Sequence, residues 1–218
     1  MRNKKTVLTA AFAAAAALTL SACGSGNDDA SAKPIADVSA EARSNATVLD
    51  QPFTKPNLVL TDTHGKKYDL REQTKGKPTL IYFGYTNCPD VCPLTMSNIA
   101  LAKRALPKAD QEKLQVVFVT TDPERDTPAS LGSWLKAQDP TFTGLTGDFP
   151  TIQAGARQMG IGIDAPKKEK DGTIVSMHGA QVIVFSPKTD KGYVLYSEDT
   201  TADQYTEDLP EIVKGETP

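Results

Sequence analysis

Hydrophobic positions in this chain fall into short continuous runs, separated by polar stretches that contain glycine or proline. Runs of five to seven apolar or aromatic residues predict strands that are buried on both faces. The clearest of these runs are residues 79–83, 114–120 and 181–185. Segments with helical spacing of apolar residues predict helices at about 93–106, 128–136, 149–159 and 202–214.

The order of these elements predicts an α/β fold with a central mixed β-sheet and helices on both faces. Helices that connect consecutive buried strands impose parallel pairing on those strands. Antiparallel pairing comes from an N-terminal β-hairpin around the polar turn 61–66 and from a late hairpin between 181–185 and 193–196. The lysine-rich stretch 165–172 is predicted to be an exposed loop.

The first 23 residues have the layout of a secretory signal peptide. A head of one arginine and two lysines precedes an alanine- and leucine-rich run from Val7 to Leu20, which is too short to span a bilayer comfortably. The run closes in Leu-Ser-Ala-Cys, which resembles the bacterial lipobox, a signal whose cysteine is diacylated and becomes the mature N-terminus. We therefore expect lipidation at Cys23 and attachment to the extracytoplasmic face of the cell membrane. A plain cleaved signal peptide is the alternative.

Composition divides the remainder into a tether and one domain. Residues 24–52 are rich in Ser, Ala, Asp and Pro and predict a flexible linker, and residues 53–218 predict the folded domain. The net charge of the whole chain is −3, and without residues 1–23 it carries 21 basic and 27 acidic side chains. No dense basic run is present, which argues against nucleic acid as a partner and against a polybasic membrane patch.

The candidate chemistry lies where the strand 79–83 gives way to a helix. Cys88 and Cys92 stand there four positions apart, each followed by proline. A helix N-terminus presents free N–H groups and partial positive charge, so we expect it to favour thiolate over thiol. The pair suits a disulfide or a soft metal ion such as copper. Structural zinc is disfavoured, because it takes four protein ligands and the domain has no other cysteine.

The sequence contains two histidines, so the choice of a nitrogen ligand is narrow. His64 lies in the polar hairpin turn and is predicted to be exposed. His178 stands just before the core strand 181–185, at an end of a central strand, where functional groups of α/β folds gather. From the residues alone a structural role and a ligand role for His178 remain equally open.

The stretch Cys-Pro-Asp-Val-Cys-Pro, the loop Asp-Pro-Glu-Arg-Asp-Thr-Pro at 122–128 and the late His178 resemble the Sco/SenC family. The family comprises membrane-anchored, thioredoxin-like copper chaperones of cytochrome c oxidase assembly, and the likeness covers about residues 53–215. It implies a thioredoxin-like fold and one copper ion, Cu(I) or Cu(II), held by Cys88, Cys92 and His178. Members often carry an acidic residue just before the histidine, where this chain has Met177.

The resemblance favours a membrane-anchored copper chaperone that delivers copper to the dinuclear copper centre in subunit II of cytochrome c oxidase. It implies another copper chaperone as donor and a thioredoxin-like reductant, because a Cys88–Cys92 disulfide cannot supply two thiolates. The alternative is a thiol-disulfide oxidoreductase that keeps the cysteines of the oxidase subunit or of other exported proteins reduced. A peroxidase is disfavoured, since its fingerprint places Thr three residues before the reactive Cys and Thr86 is two before Cys88. A structural disulfide would close only a small loop and stabilise little.

Secondary interpretations concern the neighbouring side chains. Asp122, Arg125 and Asp126 are predicted to form internal hydrogen bonds and caps within their loop rather than to bind a partner. Tyr82 and Tyr85 are interpreted as packing residues. Asp90 is predicted to be exposed between the cysteines, and Met177 is expected to pack in the core rather than to serve as a soft ligand.

Overall fold

A computed structural model of the protein describes residues 46–179 and 181–218. Cys23 and most of the predicted linker lie outside these residues. The strands of the described part are β1 (Thr47–Thr54), β2 (Val59–Asp62), β3 (Lys67–Asp69), β4 (Thr79–Gly84), β5 (Gln115–Thr120), β6 (Thr143–Thr146), β7 (Lys167–Lys168), β8 (Ile174–Val175), β9 (Gln181–Phe185) and β10 (Lys191–Ser197). The helices are α1 (Leu70–Gln73), α2 (Val91–Ala105), α3 (Lys108–Lys113), α4 (Pro128–Gln138), α5 (Phe149–Gln158) and α6 (Ala202–Lys214).

Eight of these strands form one mixed sheet in the order β1-β10-β9-β4-β5-β6-β2-β3. The central strands β4, β5 and β6 are parallel, because α2 and α4 carry the chain back between them. The late hairpin β9–β10 and the early hairpin β2–β3 add antiparallel strands on the two sides. The predicted mixed sheet and both hairpins are confirmed.

Helices cover both faces of the sheet, and each face has its own core. In β4 alternate side chains go to opposite faces: Leu80 and Tyr82 join one core, and Ile81 and Phe83 join the other. The first core packs against α2, α4 and α6, and the second packs against α5 and α1. Burial on both faces explains why β4, β5 and β9 are continuous apolar runs in the sequence.

The ends of β4 and β5 and the beginning of β9 meet at one edge of the sheet, next to the cysteines. β4 and β5 run parallel in register from Thr79↔Gln115 to Gly84↔Thr120, so both end at the same edge. β9 is antiparallel to β4, with Tyr82 opposite Val182, and therefore begins where β4 ends. The cysteine turn, the loop after β5 and the segment before β9 therefore all lie at this edge.

The structure corrects several predicted boundaries. β1 occupies residues 47–54, which the sequence division placed mostly in the linker, because its backbone pairs with β10 from Thr47↔Leu195 to Thr54↔Lys191. The helix α2, predicted to begin at Pro93, begins at Val91 and includes Cys92, because Asp90 caps it. The short helices α1 and α3 were not predicted. Part of the predicted loop 165–172 is the strand β7, which forms a small hairpin with β8.

Within residues 46–179 and 181–218, no helix combines the length and apolar character needed to cross a bilayer.

Candidate metal-binding dithiol site

The two cysteines converge at the beginning of α2. Asp90, which is exposed as predicted, is the N-cap, and its carboxylate accepts a hydrogen bond of 2.7 Å from the Val91 N–H. Cys92 is thereby the second helical residue, and its N–H lies 3.4 Å from Cys88 Sγ. Both thiols are free and buried, Cys92 completely. The sequence thus places one sulfur before the helix and the other within its first turn, close to each other.

Gly84 leaves the space that Cys92 occupies. A Cβ atom at this position would lie 2.9 Å from Cys92 Sγ, 2.9 Å from Tyr82 Cε1 and 3.0 Å from Phe118 Cε2. Such distances are shorter than carbon–sulfur and carbon–carbon contacts allow, so any larger side chain would displace the sulfur or the rings. Glycine at the end of β4 is therefore a steric requirement of the dithiol.

Tyr82 and Tyr85, predicted to be packing residues, also contact the sulfurs of the two cysteines. The Tyr82 hydroxyl donates to Cys92 Sγ at 3.5 Å. Burial, together with the neighbouring Cys92 sulfur, raises the pKa of Tyr82, so it stays a donor. Burial and the neighbouring Cys88 raise the pKa of Tyr85 to about 12. Tyr82 sits on the α2 side of β4, and that periodicity was the sequence signal for its position facing the dithiol.

Burial outweighs the helix N-terminus at Cys92, contrary to the sequence-based expectation. It raises the pKa of the Cys92 thiol to about 12, although hydrogen bonds from Tyr82 and from the Tyr85 backbone act in the opposite direction. The expectation of a thiolate at this position is therefore wrong for the metal-free protein. Binding a metal ion through this sulfur must displace a proton.

A buried aspartate fastens the cysteine turn to β5. Asp126 accepts hydrogen bonds from the Thr86 N–H at 3.0 Å, from the Thr86 hydroxyl at 2.5 Å and from the Thr120 hydroxyl at 2.6 Å. It is completely buried, so these contacts are shielded from water. Thr86 stands two residues before Cys88, and Asp126 thus fixes the approach to the first cysteine.

A second aspartate of the same loop fastens the segment before β9. Asp122 Oδ2 accepts the Ser176 hydroxyl at 2.8 Å and pairs with the Arg125 guanidinium, which also donates to Ser176 at 3.2 Å. Asp122 and Ser176 are both buried. The predicted internal hydrogen bonding of this loop is confirmed, and its reach to Ser176 is a contact that the sequence did not suggest.

His178 follows Ser176 by two residues and is half-buried. Its Nδ1 lies 3.1 Å from the Gly179 carbonyl oxygen, and the Gly179 N–H donates to the Phe83 carbonyl at 2.8 Å. A carbonyl can only accept, so this contact suits the neutral tautomer with its proton on Nδ1, and that tautomer leaves the Nε2 lone pair for a metal ion. The backbone next to His178 is therefore attached to the end of β4, directly before Gly84.

The three predicted ligand side chains do not form one cluster in the described residues. Among residues 46–179 and 181–218, no three side chains of His, Cys, Asp or Glu lie close enough together to hold a metal ion. His178 thus shares the sheet edge with Cys88 and Cys92 without forming a closed three-ligand set. His64, in the turn between β2 and β3, is exposed as predicted.

Met177 does not pack in the core. Its side chain is 45 % exposed, and the prediction of core packing is wrong for a local reason. The preceding residue, Ser176, turns its hydroxyl inward to Asp122, and the side chain of Met177 faces solvent.

The fold and the site define a thioredoxin-like protein with a free dithiol at the N-terminus of a helix. The SCO1/SenC family matches residues 44–214 of this chain. The chain belongs to the SCO1/SenC family.

Individual members of the family give the extent of the likeness. A protein of Stutzerimonas stutzeri named "Putative copper-binding protein" is 32% identical over 145 residues, which are 66% of this chain and 70% of that protein. Copper-bound ScoI of Bradyrhizobium japonicum is 34% identical with a TM-score of 0.62 and covers 73% of this chain and 96% of its own. Apo Sco1 of Thermus thermophilus is 31% identical with a TM-score of 0.67, over 76% and 95% of the two chains.

Proposed function

We propose that this protein is a copper metallochaperone that holds copper through Cys88, Cys92 and His178. One observation carries the proposal: the topology brings a free, buried dithiol and the segment that carries His178 to the same edge of the sheet. Two thiolates and one imidazole form a soft, incomplete ligand set that suits copper. An incomplete set favours release to an acceptor, which a carrier of cargo requires.

Ligation changes the protonation of the site. Each cysteine that binds copper gives up a proton, and the Tyr82 hydroxyl remains in place to donate to the resulting Cys92 sulfur. The described residues do not gather three ligands, so coordination by all three side chains would bring the His178 ring closer to the sulfurs. Oxidation of Cys88 and Cys92 to a disulfide would remove both thiolates, so copper loading requires the reduced protein.

The acceptor and the cellular setting complete the proposal. The Sco/SenC resemblance supports delivery to the dinuclear copper centre in subunit II of cytochrome c oxidase. A second copper chaperone would supply the metal, and a thioredoxin-like reductant would keep the dithiol reduced. Lipidation at Cys23 would hold the domain at the extracytoplasmic face of the membrane, joined by the residues that precede β1.

Copper titration of the reduced protein tests the ligand set. Wild type is expected to bind one copper ion, His178→Ala to bind it at least tenfold more weakly, and Cys88→Ser and Cys92→Ser to lose it. His64→Ala is the matched control, because His64 is the other histidine of the chain and is exposed in a distant turn. Absence of copper binding by wild type, or equal binding by His178→Ala, would contradict the assignment.

The second candidate function is thiol-disulfide exchange with exported proteins. The free state of both cysteines and the contact between the Cys92 N–H and Cys88 Sγ favour it, since a disulfide can form with little movement. This function requires Cys88 and Cys92 but not His178. If His178→Ala reduces a disulfide-bonded oxidase peptide at the wild-type rate while copper binding is lost, the two functions are separable.

A further inference from the structure

We propose that the loop Asp122–Asp126 sets the spacing between the dithiol and the imidazole, with Asp122, Arg125 and Asp126 as positioning residues. The inference rests on the proposed function, because it concerns the same three ligands. Each aspartate of this loop holds a residue that stands two positions before a ligand: Asp126 holds Thr86, before Cys88, and Asp122 holds Ser176, before His178.

On the side of the dithiol, the loop Asp122–Asp126 makes both side-chain and backbone contacts. The Asp126 carboxylate bonds both the backbone and the hydroxyl of Thr86, and its contact with Thr120 ties the same carboxylate to the end of β5. In addition, the Thr121 N–H donates to the Gly84 carbonyl at 2.7 Å, which links the two strand ends directly. The turn that carries Cys88 is thereby held against the loop from two sides.

On the side of His178, the loop Asp122–Asp126 makes its contacts through side chains. Ser176 sits between the Asp122 carboxylate and the Arg125 guanidinium and donates to one while accepting from the other. Beyond His178, the Gly179 N–H bonds the Phe83 carbonyl. Hydrogen bonds therefore hold the chain at Ser176 and again at Gly179, and two residues, Met177 and His178, lie between these points.

Asp122 carries a further sign of a role beyond local folding. Its Oδ1 atom is buried and has no protein partner in the described structure, although Oδ2 receives both Ser176 and Arg125. A buried carboxylate oxygen without a hydrogen-bond partner is unfavourable for folding. The carboxylate is what allows Asp122 to accept from Ser176 and pair with Arg125 at the same time.

The physical effect is preorganisation of the ligand set. A tethered His178 has few conformations to lose when copper binds. An untethered segment would lose more conformational entropy at that moment, and its copper affinity would be lower. Residues that orient metal ligands through hydrogen bonds typically contribute about 10–100-fold to metal affinity. Ser176 acts one step further from the metal, so the lower end of this range, about tenfold, is expected.

The test compares Ser176→Ala, Ser176→Thr and a matched control, Ser133→Ala. The Ser133 hydroxyl bonds only the Ala129 carbonyl of its own helix, so its removal deletes a serine hydroxyl without touching the loop. In competition with a Cu(I) chelator, Ser176→Ala is expected to bind copper about tenfold more weakly than wild type, whereas Ser176→Thr and Ser133→Ala bind it normally. The Cu(II) form of Ser176→Ala should show a weaker nitrogen coupling in its electron paramagnetic resonance spectrum.

A second readout needs no metal. The protein has two histidines, so the NMR signals of the His178 ring can be followed with those of His64 as an internal reference. Ser176→Ala and Asp122→Asn should shift or broaden the His178 signals and leave His64 unchanged, and thermal unfolding verifies that each variant is folded. Unchanged His178 signals and wild-type copper affinity in Ser176→Ala would overturn the inference. If wild type binds no copper but the His178 signals still respond, the proposed function fails and the positioning role stands.

Discussion

The buried carboxylate of Asp126 offers the sharpest test of how the cysteine turn is held. Asp126→Ala removes three hydrogen bonds at once, two from Thr86 and one from Thr120. Asp126→Asn keeps the shape and can keep all three contacts: its oxygen accepts the Thr86 N–H and the Thr120 hydroxyl, and its amide donates to the Thr86 hydroxyl. The pair of variants separates loss of the contacts from loss of the charge.

The structure sets the size of the two effects. Hydrogen bonds to a charged group contribute about 1.5–3 kcal/mol each, so three give about 4.5–9 kcal/mol as an upper bound. Removal of the carboxylate also removes its own burial penalty, which is worth several kcal/mol. We therefore expect Asp126→Ala to lower the free energy of unfolding by about 3–4 kcal/mol and Asp126→Asn by about 1–2 kcal/mol. A domain of this size has about 5–15 kcal/mol in total, so Asp126→Ala remains folded but marginal.

Urea unfolding of the reduced protein measures both values, and the rate of Cys88–Cys92 disulfide formation reports the position of the turn. Asp139→Ala is the matched control, because Asp139 is also buried but accepts the N–H and hydroxyl of Thr141 in its own loop. It should lose stability without slowing disulfide formation, whereas Asp126→Ala should slow it. A loss below about 1 kcal/mol for Asp126→Ala, or an equal loss for Asp126→Asn, would refute this account of the hydrogen bonds.

Three further predictions address other parts of the fold. Gly84→Ala places a Cβ against Cys92 Sγ and should lower stability by about 1–3 kcal/mol and the melting temperature accordingly, whereas an unchanged melting temperature would show that the neighbours yield freely. Tyr82→Phe removes the donor to Cys92 and should cost about 1 kcal/mol in urea unfolding and weaken Cu(I) binding; unchanged copper affinity would dismiss the contact as incidental. Burial would raise the pKa of Asp190, but the hydrogen bond and charge of Lys55, the Gly76 backbone N–H and the charge of Lys75 together hold it below its ordinary 3.8. Its stabilisation is thus present above the unfolded pKa and lost as pH falls through the folded pKa. The free energy of unfolding of wild type should exceed that of Asp190→Asn by about 1 kcal/mol at pH 7, a small value because the side chain is 37 % exposed, and the difference should shrink as the pH is lowered below 3.8. A difference that does not change with pH would contradict the charge argument.

The sheet was predictable because burial on both faces leaves a plain pattern. β4, β5 and β9 are uninterrupted apolar runs, and the helices between them dictate parallel pairing. β1 was missed because it is an outer strand, mostly exposed, and lacks such a run. Its assignment depends on backbone pairing with β10, which no local pattern reveals.

The site was predictable in its ligands more than in its surroundings. Cys88 and Cys92 stand out by residue type and by their place at a strand–helix junction. The hydrogen bonds of Asp122 to Ser176 and of Asp126 to Thr86 span 54 and 40 residues, so they exist only once the sheet has brought three loops to one edge. The raised pKa of Cys92 likewise follows from complete burial, a tertiary property, and it opposes the effect that the local helix terminus would predict.

The spacing of the two cysteines explains which sulfur accepts a hydrogen bond from the N-terminus of α2. With three residues between the cysteines, Asp90 becomes the N-cap and Cys92 the second helical residue. The N–H of Cys92 then lies next to Cys88 Sγ, so the first turn of α2 donates to the other sulfur. The sulfur of Cys92 receives hydrogen bonds from the Tyr82 hydroxyl and from the Tyr85 backbone. Each sulfur therefore has a neutral donor directed at it, and such hydrogen bonds strengthen when the acceptor gains negative charge. Deprotonated sulfurs would gain more from these donors than thiols do, so at Cys92 the donors oppose part of the effect of burial on the pKa.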